Sequence, residues 1–268
     1  VVLSVYGGPG ERMVQHARSR YLLAQWIADH GYVVVSIDGR GTPFRGRAWE
    51  RALRGRVGEV ALEDQVAGLR ALGARFHEID LRHVGIFGWS YGGYLAGFAA
   101  LRRPDVFSVG VAGAPVTEWR DYDTHYTERY LGLPAEHGDD YDRNSLLVHA
   151  SELAVPLLIV HGTADDNVYF THGARFADAL FRAGRPFSFL PLVGFTHIVP
   201  DPLVSQRLYD RIMAFLSHTL DAPPNSGSQE EGPVARTGCP EPLPRMETRG
   251  CSGETPRGPH TTNTMTIQ

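Results

Sequence analysis

A serine flanked by glycines is the part of this sequence best suited to carry out chemistry. Ser90 lies at the centre of the segment 88–92, GWSYG, which follows an apolar run and precedes a helix of small residues. A serine at a sharp strand-to-helix turn has a strained backbone, and the flanking glycines let neighbouring elements approach it. Developing negative charge is favoured at the N-terminus of such a helix. The chain has 30 glycines, so the pattern can arise by chance, and its strand-turn-helix context is what makes Ser90 a candidate nucleophile.

A serine nucleophile needs an acid and a base, which follow it in the order Ser, Asp or Glu, His in α/β-hydrolases. The acid is expected in a loop behind a late strand. The loop HGTADDN behind the apolar run 156–161 has two adjacent carboxylates, Asp165 and Asp166. Both cannot face one histidine, so one of them is a neighbour or a turn former.

Twelve histidines compete for the role of base. Order and spacing favour His197, which lies one predicted helix and one predicted strand beyond the acid loop. His161 is interpreted as a buried, satisfied side chain of a strand, and His172 as the start of a helix. In the predicted mechanism His197 accepts the proton of Ser90 and returns it to the leaving group, while the aspartate fixes the imidazole tautomer.

Alternating apolar and amphipathic runs predict the elements that position these residues. The apolar runs are rich in β-branched residues and nearly continuous, which is typical of strands buried on both faces of a parallel sheet. Gly31 and Gly184 are expected to cap two helices at their C-termini. The fold class is therefore α/β, with a mostly parallel central sheet flanked by helices. Strands are predicted at Val1–Tyr6, Tyr32–Ile37, His83–Phe87, Phe107–Ala112, Pro156–His161 and Phe187–Leu192, and helices near 17–29, 60–76, 92–102, 171–183 and 202–219.

Composition excludes several kinds of function. The formal net charge of -4 is too mild to indicate nucleic-acid binding or attachment to an anionic membrane. The chain has no lysine, which excludes a Schiff-base lysine and a serine–lysine dyad. Cysteine occurs only at Cys239 and Cys251, so no thiol nucleophile is expected before residue 220. No metal site, nucleotide cofactor, membrane-spanning run or signal peptide is predicted, and the compartment is left open between cytoplasm and periplasm or secretion.

The chain divides into two parts by composition. Residues 1–220 are predicted to form the folded domain that carries the site. Residues 221–268 contain eight of the 18 prolines and few large apolar side chains. Such a segment cannot bury enough apolar surface to offset its ordering entropy, and it is predicted to be disordered.

Several stretches taken together resemble the catalytic domain of the prolyl oligopeptidase family, in particular its dipeptidyl peptidase IV branch. The resemblance runs from about residue 5 to 220, and the family has the α/β-hydrolase fold. It implies a serine peptidase that cleaves after proline, with peptides as substrates, no cofactor, and association into homodimers through this domain. The stretches that carry it are 5–9 (VYGGP), 38–41 (DGRG), 88–93 (GWSYGG), 126–130 (YTERY) and 161–168 (HGTADDNV).

The resemblance also assigns roles to individual residues. Ser90 matches the family's nucleophile, Asp165 rather than Asp166 its acid, and His197 its base. Tyr6 matches a tyrosine whose hydroxyl holds the oxyanion together with the backbone N–H of Tyr91. A flat aromatic slot suits a rigid proline ring. The residues that match this proline pocket or its rim are Val116, Trp119, Tyr122, Tyr126, Asn167 and Val168, with Tyr91 closing it.

Two departures from the family pattern leave alternatives open. The base loop reads GFTHIVP, whereas relatives commonly have an acidic residue and His-Gly or His-Ser there. The family also joins this domain to an N-terminal β-propeller, which supplies glutamates for the substrate's amino group, and the full-length protein is expected to have one. The alternatives are an acylaminoacyl peptidase, a small-molecule serine esterase, and an inactive module that serves interaction or dimerisation. The aromatic residues assigned to the proline pocket have an alternative interpretation as well, in which they form one face of a helix packed into the core.

Overall fold

The computed structural model describes residues 1–221, in which six parallel strands form one sheet covered by helices. Their order across the sheet is β2-β1-β3-β4-β5-β6, and every neighbouring pair is parallel. This arrangement confirms the predicted α/β-hydrolase fold class. The strands are β1 (Val2–Val5), β2 (Val34–Val35), β3 (Gly85–Trp89), β4 (Val109–Gly113), β5 (Leu157–Gly162) and β6 (Ser188–Leu192).

Helices follow most of the strands, and all of the predicted helices are present. They are α1 (Leu22–Asp29), α2 (Arg47–Arg51), α3 (Val57–Arg75), α4 (Tyr91–Arg102), α5 (Thr124–Leu131), α6 (Gly138–Asn144), α7 (Thr171–Arg182) and α8 (Pro202–Leu220). Helices α2, α5 and α6 were not predicted. Strand β2 is much shorter than expected, because only two residues of this edge strand pair with β1.

Two apolar layers cover the two faces of the sheet. One layer joins the strands to α3, α4 and α7, and the other joins them to α1 and α8. Gly31 and Gly184 follow α1 and α7 with φ of 94° and 66°, so both helices end on a left-handed glycine as predicted. The sheet is thereby fixed from both sides, and the loops at the carboxyl ends of its strands are left to form a site.

The predicted disordered segment, 221–268, lies outside the described residues apart from Asp221, and so do Cys239 and Cys251. Within residues 1–221, no helix is long and apolar enough to cross a membrane.

Helix α4 packs on β4 through backbone contacts that only glycine permits. A Cβ atom at Gly93 would lie 2.1 Å from the carbonyl oxygen of Gly113, and that backbone oxygen cannot rotate away. We expect Gly93→Ala to lower the free energy of unfolding by roughly 3 kcal/mol, at the upper end of overpacking effects. Urea unfolding followed by circular dichroism measures this change. Gly138→Ala is the control, because no atom lies within 4 Å of its Cβ position, and equal losses in the two variants would contradict the prediction.

Candidate active site

The turn between β3 and α4 has the geometry of a nucleophile elbow. Ser90 adopts φ 60° and ψ −121°, and its N–H donates to the carbonyl of Gly113 at 2.9 Å. Such a backbone costs a residue other than glycine about 1–3 kcal/mol. A Cβ at Gly88 would lie 2.2 Å from the carbonyl oxygen of Gly92, and one at Gly92 would lie 2.2 Å from that of Val5. Close packing therefore requires both flanking glycines, as the sequence predicts.

The predicted acid and base come together at the carboxyl ends of β5 and β6. His197 Nδ1 lies 2.8 Å from Asp165 Oδ2. The other oxygen, Oδ1, accepts the backbone N–H groups of Asn167 at 3.0 Å and Val168 at 2.9 Å. The Asp165 side chain is inaccessible to solvent, whereas Asp166 is exposed. Of the two adjacent carboxylates, Asp165 is therefore the one that faces the histidine.

Burial and hydrogen bonding act in opposite directions on Asp165. Burial disfavours the charged carboxylate, but the imidazoles of His161 and His197 and the N–H of Asn167 stabilise it. The hydrogen bonds outweigh burial and hold the pKa of Asp165 well below its usual range. The carboxylate is thus ionised at neutral pH and can stabilise an imidazolium at His197.

A tryptophan next to Ser90 connects the elbow to the loop that carries His197. Trp89 Nε1 donates to the backbone carbonyl of His197 at 2.9 Å. A Cβ at Gly162 would lie 2.6 Å from the carbonyl oxygen of Thr196, so the base loop also passes closely over the end of β5. The role of Trp89 was not predicted, since the variable position of the serine motif has no signal of its own.

The structure does not join the nucleophile to the base directly. Within residues 1–221 the Ser90 hydroxyl makes no hydrogen bond. Hydrogen bonds of this kind are often long in free enzymes and shorten only when substrate binds. The relation between Ser90 and His197 remains a prediction.

The two residues predicted to hold an oxyanion lie together beside the elbow. The rings of Tyr6 and Tyr91 are 5.5 Å apart, and the Tyr91 hydroxyl donates to the carbonyl of Val57 at 2.6 Å. Tyr91 is the first residue of α4, so its N–H has no acceptor inside the helix. Burial, with Tyr122 and Glu11 nearby, raises the pKa of Tyr6 to about 12. Tyr6 therefore keeps its proton at neutral pH and can donate it to a hydrogen bond.

The predicted pocket residues form one aromatic cluster. Trp119 and Tyr126 are stacked with ring centroids 6.1 Å apart, and the Tyr122 ring is edge-on to both, at 5.9 and 5.7 Å. The Tyr122 hydroxyl donates to Asn167 Oδ1 at 2.9 Å, beside a cleft of about 480 Å³. Tyr91 lies 6.0 Å from Trp119. Val116 and Val168 are buried in the same apolar layer as Trp119 and Tyr91.

Two buried histidines behind Asp165 extend the site. His161 contacts Asp165 and the Val168 carbonyl through Nε2, but its Nδ1 has no partner within the described residues. The interpretation of His161 as a fully satisfied side chain was therefore wrong in this respect. His172 accepts the N–H of Thr117 at Nδ1, at 3.1 Å. Among residues 1–221, no cluster of three or more His, Cys, Asp or Glu side chains is arranged to hold a metal ion.

The sheet order and the elbow place this chain among the α/β-hydrolases. Comparison with known proteins then defines its family. The sequence profile of the prolyl oligopeptidase family matches residues 18–223. The chain belongs to the prolyl oligopeptidase family, which confirms the resemblance inferred from its motifs.

Individual relatives agree with this family. The chain is 44% identical over 191 residues to human (Homo sapiens) dipeptidyl peptidase 8, an alignment covering 69% of this chain and 21% of the relative. It is 35% identical over 227 residues to dipeptidyl peptidase 4 of Sus scrofa, covering 83% of this chain and 29% of the relative. A crystal structure of a Bacteroides ovatus protein assigned as a dipeptidyl aminopeptidase IV superposes with a TM-score of 0.77 at 31% identity, covering 82% of this chain and 31% of that one. The chain therefore spans less than a third of the length of these relatives.

The ionised, buried carboxylate of Asp165 predicts a pH-dependent contribution to stability. Because folding lowers its pKa, the contribution is complete above the ordinary aspartate pKa of about 4 and is lost as pH falls through the lower pKa of the folded state. We expect the wild type to lose more free energy of unfolding between about pH 5 and about pH 2 than Asp165→Asn does. Urea unfolding across this pH range measures the difference.

The matched control for this experiment is Asp166→Asn, since the Asp166 side chain is exposed. Its acid-side slope should equal that of the wild type. Equal slopes for the wild type and Asp165→Asn would show that the buried carboxylate is not selectively stabilised in its charged form.

Proposed function

We propose that this chain is the catalytic domain of a serine peptidase that cleaves peptide bonds after proline, as dipeptidyl peptidases do, with Ser90, Asp165 and His197 as its triad. The observation that supports this proposal most strongly is the 2.8 Å contact between His197 and a fully buried Asp165, whose other oxygen accepts two backbone N–H groups. The Trp89 bond to the His197 carbonyl brings this pair to the elbow that presents Ser90. These features support a base directed at a serine that stands at a helix N-terminus.

The proposed reaction proceeds through an acyl-enzyme. Ser90 Oγ attacks the peptide carbonyl as His197 Nε2 takes its proton, and the carbonyl oxygen becomes an oxyanion. As the C–N bond breaks, His197 gives that proton to the departing amine, which leaves an ester on Ser90. Water then attacks the ester with His197 again as base, releasing the carboxylic acid and regenerating the serine. Asp165 stays ionised throughout and stabilises the imidazolium.

Tyr6 and the backbone N–H of Tyr91 are proposed to hold the oxyanion. The Tyr6 hydroxyl makes no hydrogen bond within residues 1–221, so it is free to donate to a substrate oxygen. The N–H of Tyr91 lies at the start of α4, where the helix dipole favours negative charge. Both donors are in place before the substrate binds, and such preorganised donors are what make an oxyanion site effective.

The aromatic cluster is proposed to receive a proline ring, and Asn167 to contact a substrate carbonyl. Trp119 and Tyr126 stack on each other and Tyr122 stands edge-on to both, so the cluster offers flat aromatic surfaces that suit a rigid apolar ring and disfavour long or charged side chains. The substrates are therefore peptides, and no cofactor takes part in the proposed reaction. In the complete protein we propose an N-terminal β-propeller and self-association into a homodimer, as the family resemblance implies.

The proposal is tested by labelling and by substrate choice in the 268-residue chain. A fluorophosphonate probe is expected to label wild-type protein at Ser90. Cleavage of a Gly-Pro chromogenic amide should exceed that of an Ala-Ala amide and of a short-chain ester. Ser90→Ala is expected to abolish labelling and to reduce cleavage by about 10³-fold or more. Ser151→Ala, at an exposed serine far from the elbow, is the matched control and should react as the wild type does.

Each other outcome separates the alternatives. Ester cleavage without amide cleavage would indicate a generic serine esterase of this fold. Labelling without turnover would mean that the chemistry is present but that substrate recognition needs further parts of the complete protein. No labelling of Ser90 would overturn the proposed site.

The oxyanion proposal predicts a specific defect for Tyr6→Phe. Loss of one donor to the oxyanion should lower kcat by about 10²-fold with little change in KM, because the donor acts mainly on the transition state. The rate of fluorophosphonate labelling should fall in parallel. Tyr32→Phe is the matched control. It also removes one tyrosine hydroxyl, which donates to Asp221 at 3.0 Å, and it should leave both kcat and the labelling rate unchanged. Equal activity of Tyr6→Phe and Tyr32→Phe would rule out this role for Tyr6.

A further inference from the structure

A fully buried imidazole at the end of β5 contacts both the acid and the segment that follows it. His161 Nε2 lies 2.7 Å from the backbone carbonyl oxygen of Val168 and 3.4 Å from Asp165 Oδ2. That same Oδ2 atom accepts Nδ1 of His197 at 2.8 Å. The carboxylate oxygen used by the proposed base is therefore shared with a second histidine on its inner side.

The hydrogen-bond geometry fixes the tautomer of this inner histidine. The Val168 carbonyl can only accept, so Nε2 of His161 carries the proton. Nδ1 has no partner within residues 1–221, and a proton there would be buried without an acceptor. A Cβ at Gly173 would lie 2.7 Å from this Nδ1, so α7 presses directly against the ring. Nε2 of His161 therefore carries the N–H that points at Val168 and lies against Asp165.

The titratable groups that face His161 come from two loops and one helix. Asp165 and His197 face it from the loops, and His172 faces it from α7. Burial and the proximity of His161 lower the pKa of His172 to about 4, so His172 is neutral near pH 7. Asp165 is then the charged group at the centre of three histidines.

We infer that His161 is a positioning residue for the acid–base pair, an inference that rests on the proposed function. Its N–H bonds the carbonyl of Val168 and lies against Asp165 Oδ2, which keeps that oxygen in line with His197. Asn167 and Val168 also donate their N–H groups to Asp165 Oδ1. One imidazole therefore joins the orientation of the acid to the segment that forms part of the proposed pocket.

Three substitutions of His161 distinguish the effect of its N–H donor from the effect of its side-chain volume. In His161→Gln the amide nitrogen stands as many bonds from Cβ as Nε2 does, so it can donate to Val168 and Asp165. In His161→Asn the amide nitrogen is one bond closer to Cβ than Nε2 is, so it falls short of these acceptors in either orientation of the amide. His161→Leu keeps the volume and removes the donor. We expect kcat to fall about 10- to 100-fold for Asn and Leu, because they lose both the bond to Val168 and the contact with the charged Asp165, and to stay within about 3-fold of wild type for Gln.

A second readout does not depend on activity. The Nδ1 proton that His197 shares with Asp165 gives a strongly deshielded signal in proton NMR spectra. This signal should persist in wild type and His161→Gln and should shift or disappear in His161→Asn and His161→Leu. Urea unfolding of each variant identifies those that fold, and nitrogen-15 spectra of the wild type report the His161 tautomer even where a variant does not fold.

The outcomes distinguish this inference from the function on which it rests. If wild-type Ser90 is not labelled, the proposed function fails, and the NMR readouts still decide the role of His161. If folded Asn and Leu variants keep the wild-type labelling rate and the His197 signal, His161 has only a structural role and the inference is overturned. A proton on Nδ1 rather than Nε2 of wild-type His161 would also overturn it.

Discussion

The carboxyl ends of β1, β3 and β4 approach one another so closely at the elbow that backbone atoms, rather than side chains, make the contacts. The Ser90 N–H binds the Gly113 carbonyl, and a Cβ at Gly92 or Gly93 would lie about 2 Å from the carbonyl oxygen of Val5 or Gly113. This packing forces the strained backbone of Ser90 and holds the start of α4 beneath it. Burial of α4 along almost its whole length between the sheet and α3 stabilises the fold enough to offset this strain. The core and the Ser90 turn therefore depend on the same contacts.

A buried negative charge creates the second constraint. An ionised carboxylate out of reach of water is unfavourable unless several donors surround it. Asp165 meets this condition through two backbone N–H groups and two imidazoles, which fix its position as well as its charge. The base loop is fixed in turn by Trp89 and by its close passage over Gly162. The Asp165–His197 pair is thus oriented by groups that belong to the ends of two strands, β3 and β5.

The sequence predicted the parallel sheet and its main helices because their apolar runs are long and their glycine caps are well placed. Helices α5 (THYTERYL) and α6 (GDDYDRN) escaped prediction, since polar residues interrupt the apolar spacing that marks a surface helix. Their stability comes from contacts distant in sequence or from caps. In α6, Asn144 bonds to Gly55 and Gly58, and in α5 the carboxylate of Asp123 caps the N–H of Tyr126. Such contacts cannot be derived from local periodicity.

For the site, motif order predicted which residues would meet but not how they are held. Spacing alone left Asp165 and Asp166 equivalent, and the family resemblance chose Asp165. The tertiary structure shows the physical difference, with Asp165 turned inward to His197 and Asp166 exposed. The same limit applies to the aromatics, which could be core or pocket. The structure makes the two readings compatible, because Trp119 is buried while Tyr122 and Tyr126 are only partly so. A pocket built as the partly open edge of a core keeps its walls rigid without a substrate, which lowers the ordering entropy that binding would otherwise cost.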